Sequence, residues 1–338
     1  MKAGQFGLPL DIPVMEARSA EALPEGAEWQ YEPKWDGFRC LVFKQGEAVA
    51  LIGKSGKPLG RYFPEIAALV RCCPAGRFVA DGELVIETGG RLSFDALQMR
   101  LHPAESRIRK LAAETPARLV LFDLLLAPGG EVLMREPLSR RREALEAFGS
   151  VAAEPGKIVV TPCSRDLAQA LLWLAGMSGT DGVVAKRLDG AYEAGERAMV
   201  KVKRMRAADC VVGGFRYASG AREVGSLLLG LYDSEGKLDH VGFTSIIAAA
   251  DRPALTQRLE ALRAPPGFTG KAPGGPSRWA SERSGEWEPV RPELVVEVRF
   301  DHVSGGRFRH GTKLLRFRPD KDPRACAMDQ IAPLGAGG

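Results

Sequence analysis

The basic stretch Lys201–Arg206 divides the chain into two parts with different strand and helix patterns, and this division constrains the fold more than any other feature. Before it, from Trp29 to about Lys203, runs rich in Val, Leu and Phe read as strands, separated by helices and by turn signals at Gln45-Gly46 and Thr88-Gly89-Gly90. Helices are expected over Pro64–Val70, Ser139–Phe148 and Asp166–Ala175, the last with Asp166 as N-cap and Gly176 as its stop. Their placement between hairpin-like strands argues against strict βαβ alternation and for largely antiparallel sheets. After the basic stretch come five short strands, near Asp209–Tyr217, Val224–Asp233, Leu238–Thr244, Glu293–Asp301 and Lys313–Arg318. A helix over Arg252–Arg263, capped by Asp251 and carrying Pro253 in its first turn, separates the third strand from the fourth. Five strands in this order suggest an oligonucleotide-binding (OB) barrel. The expected class is therefore mixed α+β, with a first domain over residues 1–203 and a second over 204–338.

A length of 338 residues accommodates two domains of ordinary size. The 45% hydrophobic and 26% charged residues fall in the globular range, which sets aside disorder and fibrous repeats. Apolar runs such as Leu119–Leu126 stop well short of the ~20 residues that span a bilayer, so no membrane partner is expected. The N-terminus lacks the continuous apolar segment of a signal peptide, and the expected location is cytoplasmic. Cysteines at 40, 72, 73, 163, 210 and 326 form no C-x-x-C pair and read as reduced thiols. A net charge of +5 is too modest to identify nucleic acid as the partner. Pro- and Gly-rich Ala264–Ser277 and the tail Gly335–Gly338 read as exposed loops, and Leu8, Leu10, Ile12 and Val14 of the N-terminal arm as residues that cover a sheet or exchange with another chain.

Glu32-Pro33-Lys34-Trp35-Asp36-Gly37-Phe38-Arg39 places a lysine in a turn just before the alternating strand Phe38–Phe43. Alone, Asp36-Gly37 reads as an ordinary turn. An amine attacks only when neutral, and an unperturbed lysine with a pKa of about 10.4 is seldom neutral near pH 7. Cations such as Arg39, Lys201 and Lys203 would disfavour the ammonium and also hold a triphosphate. Attack on an α-phosphorus would then expel pyrophosphate and leave a covalent lysyl-nucleotide. Gly53-Lys54-Ser55-Gly56-Lys57 lacks the upstream glycine of a P-loop, so a P-loop kinase is excluded. Val200-Lys201-Val202-Lys203 alternates, placing two ammonium groups on one strand face and two valines on the other.

The Lys34 segment, Ala80-Asp81-Gly82-Glu83-Leu84, Leu121-Phe122-Asp123, Asp181-Gly182-Val183-Val184-Ala185-Lys186 and Val200–Lys203, in this order, resemble the motifs of the covalent nucleotidyltransferase superfamily of DNA ligases, RNA ligases and capping enzymes. Arg318-Pro319-Asp320-Lys321 resembles the R-x-D-K motif of the ligase OB domain. Within the superfamily the sequence is most similar to compact bacterial ATP-dependent DNA ligases of the ligase C type, relatives of the ligase module of end-joining ligase D. The resemblance implies an ATP-grasp-like nucleotidyltransferase domain followed by the OB domain, ATP as co-substrate, Mg²⁺ or Mn²⁺, and nick sealing through lysyl-AMP and DNA-adenylate.

It also implies residue roles: Lys34 as nucleophile, Glu32 reading the adenine amino group, Arg39 at ribose or phosphate, Glu83 at ribose and metal, Phe122 as adenine platform, and Lys201 and Lys203 at phosphate. Asp181 stands where the family usually has Glu and is expected at the metal. Lys54 replaces the usual Arg and is either a single-point phosphate or nucleic-acid contact or part of a surface loop. Arg318 and Lys321 orient the departing pyrophosphate. Lys186, placed by strand parity opposite Asp181, receives no direct role. Arg204, Arg206, Arg216, Arg222, Arg307 and Arg309 are candidates for DNA phosphate contacts. Nicked duplex DNA is the expected partner of a nucleoid-associated monomer, together with DNA-repair proteins. No separate DNA-encircling domain is expected before Lys34. An RNA ligase or GTP-using capping enzyme, and a noncatalytic DNA-binding OB module, are the alternatives.

Overall fold

In chain order the elements are β1 (Ala17–Ser19), β2 (Trp29–Pro33), β3 (Phe38–Gln45), β4 (Ala48–Gly53), α1 (Pro64–Cys72), β5 (Arg77–Thr88), β6 (Arg91–Leu92), α2 (Phe94–Arg100), α3 (Glu105–Glu114), β7 (Ala117–Leu126), α4 (Leu138–Ala152), β8 (Ile158–Val160), α5 (Leu167–Ala175), β9 (Gly182–Arg187) and β10 (Met199–Lys203), then β11 (Arg206–Tyr217), β12 (Val224–Tyr232), β13 (Leu238–Thr244), α6 (Arg252–Ala261), β14 (Glu288–Pro289), β15 (Val295–Phe300), β16 (Val303–Ser304), β17 (Arg307–Phe308) and β18 (Lys313–Phe317). The computed structural model describes residues 5–152, 154, 156–176, 180–274 and 286–332. Chain contacts separate two units, Met1–Arg204 and Met205–Gly338.

The first unit holds two sheets, ordered β1-β10-β9-β2 and β4-β3-β5-β7-β8, with β6 paired to β5. Neighbouring strands are antiparallel except for the parallel edge pairs β1/β10 and β7/β8. Strand periodicity decides what each face meets. In β2, β9 and β10 the inward residues Tyr31, Val183, Ala185, Val200 and Val202 are buried with Ala170 of α5. Asp166 caps α5 through Ala168 N–H, and Gly176 ends it at φ 98°. The larger sheet buries one face beneath α1, α2 and α4. Its other face is covered by the N-terminal arm, with Phe6, Val14 and Met15 buried against Leu41, Phe43 and Val79. The arm thus covers a sheet of its own chain.

Helices α2 and α3 add to the helices expected from the sequence. Ser93 caps α2, accepting from Ala96 N–H. The charge-rich α3 fully buries Ile108 alone, with Leu111 and Ala112 half-buried at i+3 and i+4, so its apolar stripe is narrow.

The second unit is built on the sheet β13-β12-β11-β15-β18, with β14 paired to β11. Its two edge strands approach at a single bridge, Thr244–Thr312, where Thr312 N–H donates to Phe243 O at 3.0 Å. This is the strand order of an OB-like sheet, curled toward a barrel without a continuous closing ladder. Two local expectations need correction. Asp251 makes no capping hydrogen bond because a short 3₁₀ turn, Ala249–Asp251, leads into α6. The loop over 264–274 is not wholly exposed, since Phe268 packs edge-on against His240 and Trp287 in the core. Residues 275–277 of that loop and the tail Gly335–Gly338 lie outside the described residues. Among the described residues no helix is long and apolar enough to cross a membrane.

Candidate active site

The turn that carries Lys34 crosses from β2 in one sheet to β3 in the other. It is tied to the start of β9 by Lys34 N–H donating to Gly182 O at 2.9 Å and Asp181 N–H donating to Lys34 O at 3.0 Å. Two glycines let other strands crowd this junction, β5 at Gly37 and β10 at Gly182. A Cβ on Gly37 would lie 2.1 Å from Leu84 O, and one on Gly182 would lie 2.2 Å from Val202 O, distances no side chain tolerates.

A cavity opens beside this turn, lined by Glu16, Glu32, Lys34, Trp35, Arg39, Lys54, Glu83, Phe122, Val184, Lys186, Met199 and Lys201. Register explains the lining. Glu32 pairs across to Val184 and Val184 to Lys201, so three adjacent strands present one residue each on the same face. Arg39 on β3 likewise pairs with Glu83 on β5. A bulge between Asp81 and Gly82 interrupts the β5/β7 ladder next to the cavity, where such irregularities commonly re-aim side chains.

Lys34 Nζ donates to Asp181 Oδ2 at 2.7 Å. Arg39 is held in a fork, donating to both oxygens of buried Asp81 at 2.8 and 2.6 Å and to Met15 O at 2.9 Å. Asp81 also accepts from Tyr192 at 2.6 Å, and Tyr192 accepts from Met15 N–H at 3.1 Å, so the N-terminal arm is pinned to the cavity wall. Phe122 has two cations at its ring, Arg39 and Lys186, each 4.9 Å from the centroid. Lys54 pairs with Glu16 at 2.9 Å, and that contact keeps the Glu16 carboxyl below its ordinary value. Burial, assisted by the charges of Lys34, Lys203 and Lys54, lowers the pKa of Lys201.

Lys186 corrects the parity argument. Asp181 precedes β9, so alternation counted from it does not apply. Counted from Val184, Lys186 falls on the cavity face, where it pairs with Glu32 Oε2 at 2.7 Å and donates to Phe122 O at 3.0 Å. Glu32 is itself buried and accepts from Gln30 at 2.9 Å. Glu16 and the Asp81–Tyr192 link lie in no local pattern, so only the fold reveals them. Lys203 is half-buried on the same strand face as Lys201 but does not line the cavity.

Glu83 is the acidic group most altered by its setting. Burial pushes its carboxyl up to about 8, against the opposing charges of Arg39 and Lys34. Between roughly pH 4.5 and 8 the folded chain therefore holds a proton there that the unfolded chain has lost, and stability falls as pH rises through this window. Glu83→Gln is expected to match wild type in urea midpoint at pH 4 and exceed it at pH 8. Equal midpoints at pH 8 would contradict the burial. A desolvated carboxylate facing a cavity suits a divalent cation, which would draw Glu83 into its ionised form.

The remaining candidates belong to the second unit, apart from Arg204, which donates to Ala175 O at 3.3 Å at the end of the first. Arg318 and Lys321 converge on Asp209. Arg206 stacks over Phe300 and donates to Gln330 O. Arg216 is half-buried, and this desolvation lowers its pKa. Arg222 pairs with Glu260 at 3.3 Å, and Arg307 contacts His240 Nδ1 at 2.8 Å. Arg309 is half-buried, its backbone N–H donating to His302 O at 2.9 Å.

Residues 15–203 match the model of the ATP dependent DNA ligase domain, and residues 220–321 that of the ATP dependent DNA ligase C terminal region. The chain belongs to the ATP-dependent DNA ligase family. This ligase is 44% identical to DNA ligase C1 of Mycolicibacterium smegmatis, over 96% of this chain and 95% of that one. It is 43% identical to DNA ligase C of Mycobacterium tuberculosis, with the same coverage. Among solved structures, mycobacterial DNA ligase D complexed with ATP and MES superposes with a TM-score of 0.51 at 26% identity, covering 94% of this chain and 98% of that one. The mixed α+β architecture of the ligase agrees with these relatives, and ATP is its co-substrate.

Proposed function

We propose that this ligase seals nicks in duplex DNA by charging Lys34 with AMP in the cavity of the first unit, and that it serves DNA repair or end joining as a nucleoid-associated, cytoplasmic monomer that works beside repair proteins. The observation that supports this reading most is the convergence of Lys34, Arg39, Lys54 and Lys201 around one cavity that also holds Glu83 and Phe122. Besides the nucleophile, the three cations Arg39, Lys54 and Lys201 suit a triphosphate, and an aromatic wall suits a purine. Lys186 and Glu32 extend that wall with a donor and an acceptor for the base edge.

In the first step Lys34 Nζ, having released its ammonium proton to solvent water, attacks the α-phosphorus. A nitrogen–phosphorus bond forms and the bond to pyrophosphate breaks. Asp181, 2.7 Å away, keeps the amine in place beforehand. Glu83 and Asp181 offer the oxygens for Mg²⁺ or Mn²⁺, which when bound supplies positive charge against the phosphates. Lys201 holds phosphate oxygens in the cavity, Lys203 on the same strand face takes those that reach beyond it, and Arg318 and Lys321 act on the leaving pyrophosphate. A 5′-phosphate oxygen of DNA then takes AMP from Lys34, and the neighbouring 3′-hydroxyl displaces AMP to close the strand. The first unit is the adenylating domain, and the second is the OB domain that meets DNA phosphates through arginines such as Arg222 and Arg307.

The test incubates the protein with α-labelled ATP or GTP and a divalent metal, then adds nicked DNA or nicked RNA. ATP-specific label that discharges into sealed DNA is expected. Label from GTP, or discharge to RNA alone, would favour an RNA ligase or capping-type enzyme. No covalent label under any metal would leave a DNA-binding module.

A further inference from the structure

We infer that Asp209 is a positioning residue for pyrophosphate departure, holding Arg318 and Lys321 in the arrangement that adenylation needs. This rests on the role given to Arg318 and Lys321 above. Asp209 lies on β11 with its side chain 12% exposed, and its two oxygens accept from Arg318 Nη1 at 3.0 and 3.1 Å. Lys321 Nζ stands 3.7 Å from the same carboxylate. The backbone of Asp209 is clamped in turn, its N–H donating to Gln330 Oε1 at 2.9 Å and its carbonyl accepting from Gln330 Nε2 at 3.1 Å.

The second carboxylate on Arg318 behaves differently. Asp320 accepts from Nε at 3.0 and 3.2 Å and from Nη2 at 2.8 Å, but it is 64% exposed. An exposed partner exchanges readily for a phosphate, whereas a largely covered carboxylate on a clamped strand fixes the guanidinium plane. Arginine and lysine side chains are long and flexible, so holding both in advance removes an ordering cost from the step that uses them. Asp209 touches no reacting atom. It acts through its two cationic neighbours.

Pyrophosphate is expelled only when Lys34 is adenylated. The later steps break the nitrogen–phosphorus bond of lysyl-AMP and then the anhydride of DNA-adenylate, and neither releases pyrophosphate. A defect at Asp209 should therefore be confined to the first step.

The experiment measures lysine adenylation by rapid quench with α-labelled ATP, and separately single-turnover sealing of preformed DNA-adenylate, in wild type, Asp209→Asn, Arg318→Ala/Lys321→Ala and the triple variant. Asp209→Asn is expected to slow adenylation about 10- to 100-fold, the scale of a misplaced catalytic group, and to leave sealing within about 2-fold. In the triple variant the Asp209 change should add nothing, because its two intermediaries are gone. Adenylation at the wild-type rate, equal loss in both assays, or a full additional loss in the triple variant would each overturn the inference. If Arg318→Ala/Lys321→Ala adenylates normally, the R-x-D-K reading itself fails, and the inference with it.

Discussion

Lys34→Ala is expected to abolish covalent labelling by ATP and, with it, nick sealing from ATP, a loss on the order of 10⁴-fold or more, as for removal of a nucleophile. Lys34→Arg sharpens the test. It keeps a positive charge toward Asp181, whose carboxylate lies 2.7 Å from the Lys34 ammonium, yet a guanidinium stays protonated and does not attack phosphorus. Both variants should therefore be equally inactive in a gel assay of labelled protein, while circular dichroism reports an unchanged fold. Label retained on Lys34→Arg would assign the nucleophile to another side chain.

The largest stability effect is expected from Asp123→Ala. Asp123 and Arg141 are 2% and 1% exposed and meet through two hydrogen bonds of 2.8 and 3.1 Å. Arg141 also donates to Glu136 O and Gly190 O, so it bridges α4 to the segment that follows β9. Removing the carboxylate leaves a buried guanidinium without its counter-charge, which costs roughly 3–5 kcal/mol. Urea unfolding should show this loss in the transition of the first unit alone. Arg109→Ala is the contrast, because its Glu105 partner is exposed and such a pair contributes only about 0.3–0.5 kcal/mol. Similar losses for both would mean that the Asp123 pair is not desolvated as described.

Much of the fold was legible because the periods are local. Alternation in Val200–Lys203 correctly assigned lysines to one face and valines to the core, and Asp166 with Gly176 bounded α5 within a residue. The five strands expected in the second unit are present along the chain as β11, β12, β13, β15 and β18, joined by three two-residue strands, β14, β16 and β17, that carry too little pattern to read. Helix α3 is hard to read in the sequence because its apolar stripe, Ile108, Leu111 and Ala112, is narrow and set among charged residues. The face of Lys186 is not legible from Asp181, because Asp181 lies outside β9 and strand parity begins only at Gly182.

What the sequence by itself determined was chemistry that depends on residue type and short spacing: a lysine in a turn, a glycine after an aspartate where chains approach closely, and alternating cations on a strand. These persist wherever the segments end up, because they follow from backbone geometry within a few residues. What only the tertiary structure decided was partnership. Arg39 is committed to Asp81, Lys54 to Glu16, Lys186 to Glu32 and Arg318 to Asp209, across 42, 38, 154 and 109 positions of chain. A charge in the sequence is a free ion in water until folding buries it. Burial then makes an unmatched charge costly, and which opposite charge satisfies it depends on which strands become neighbours.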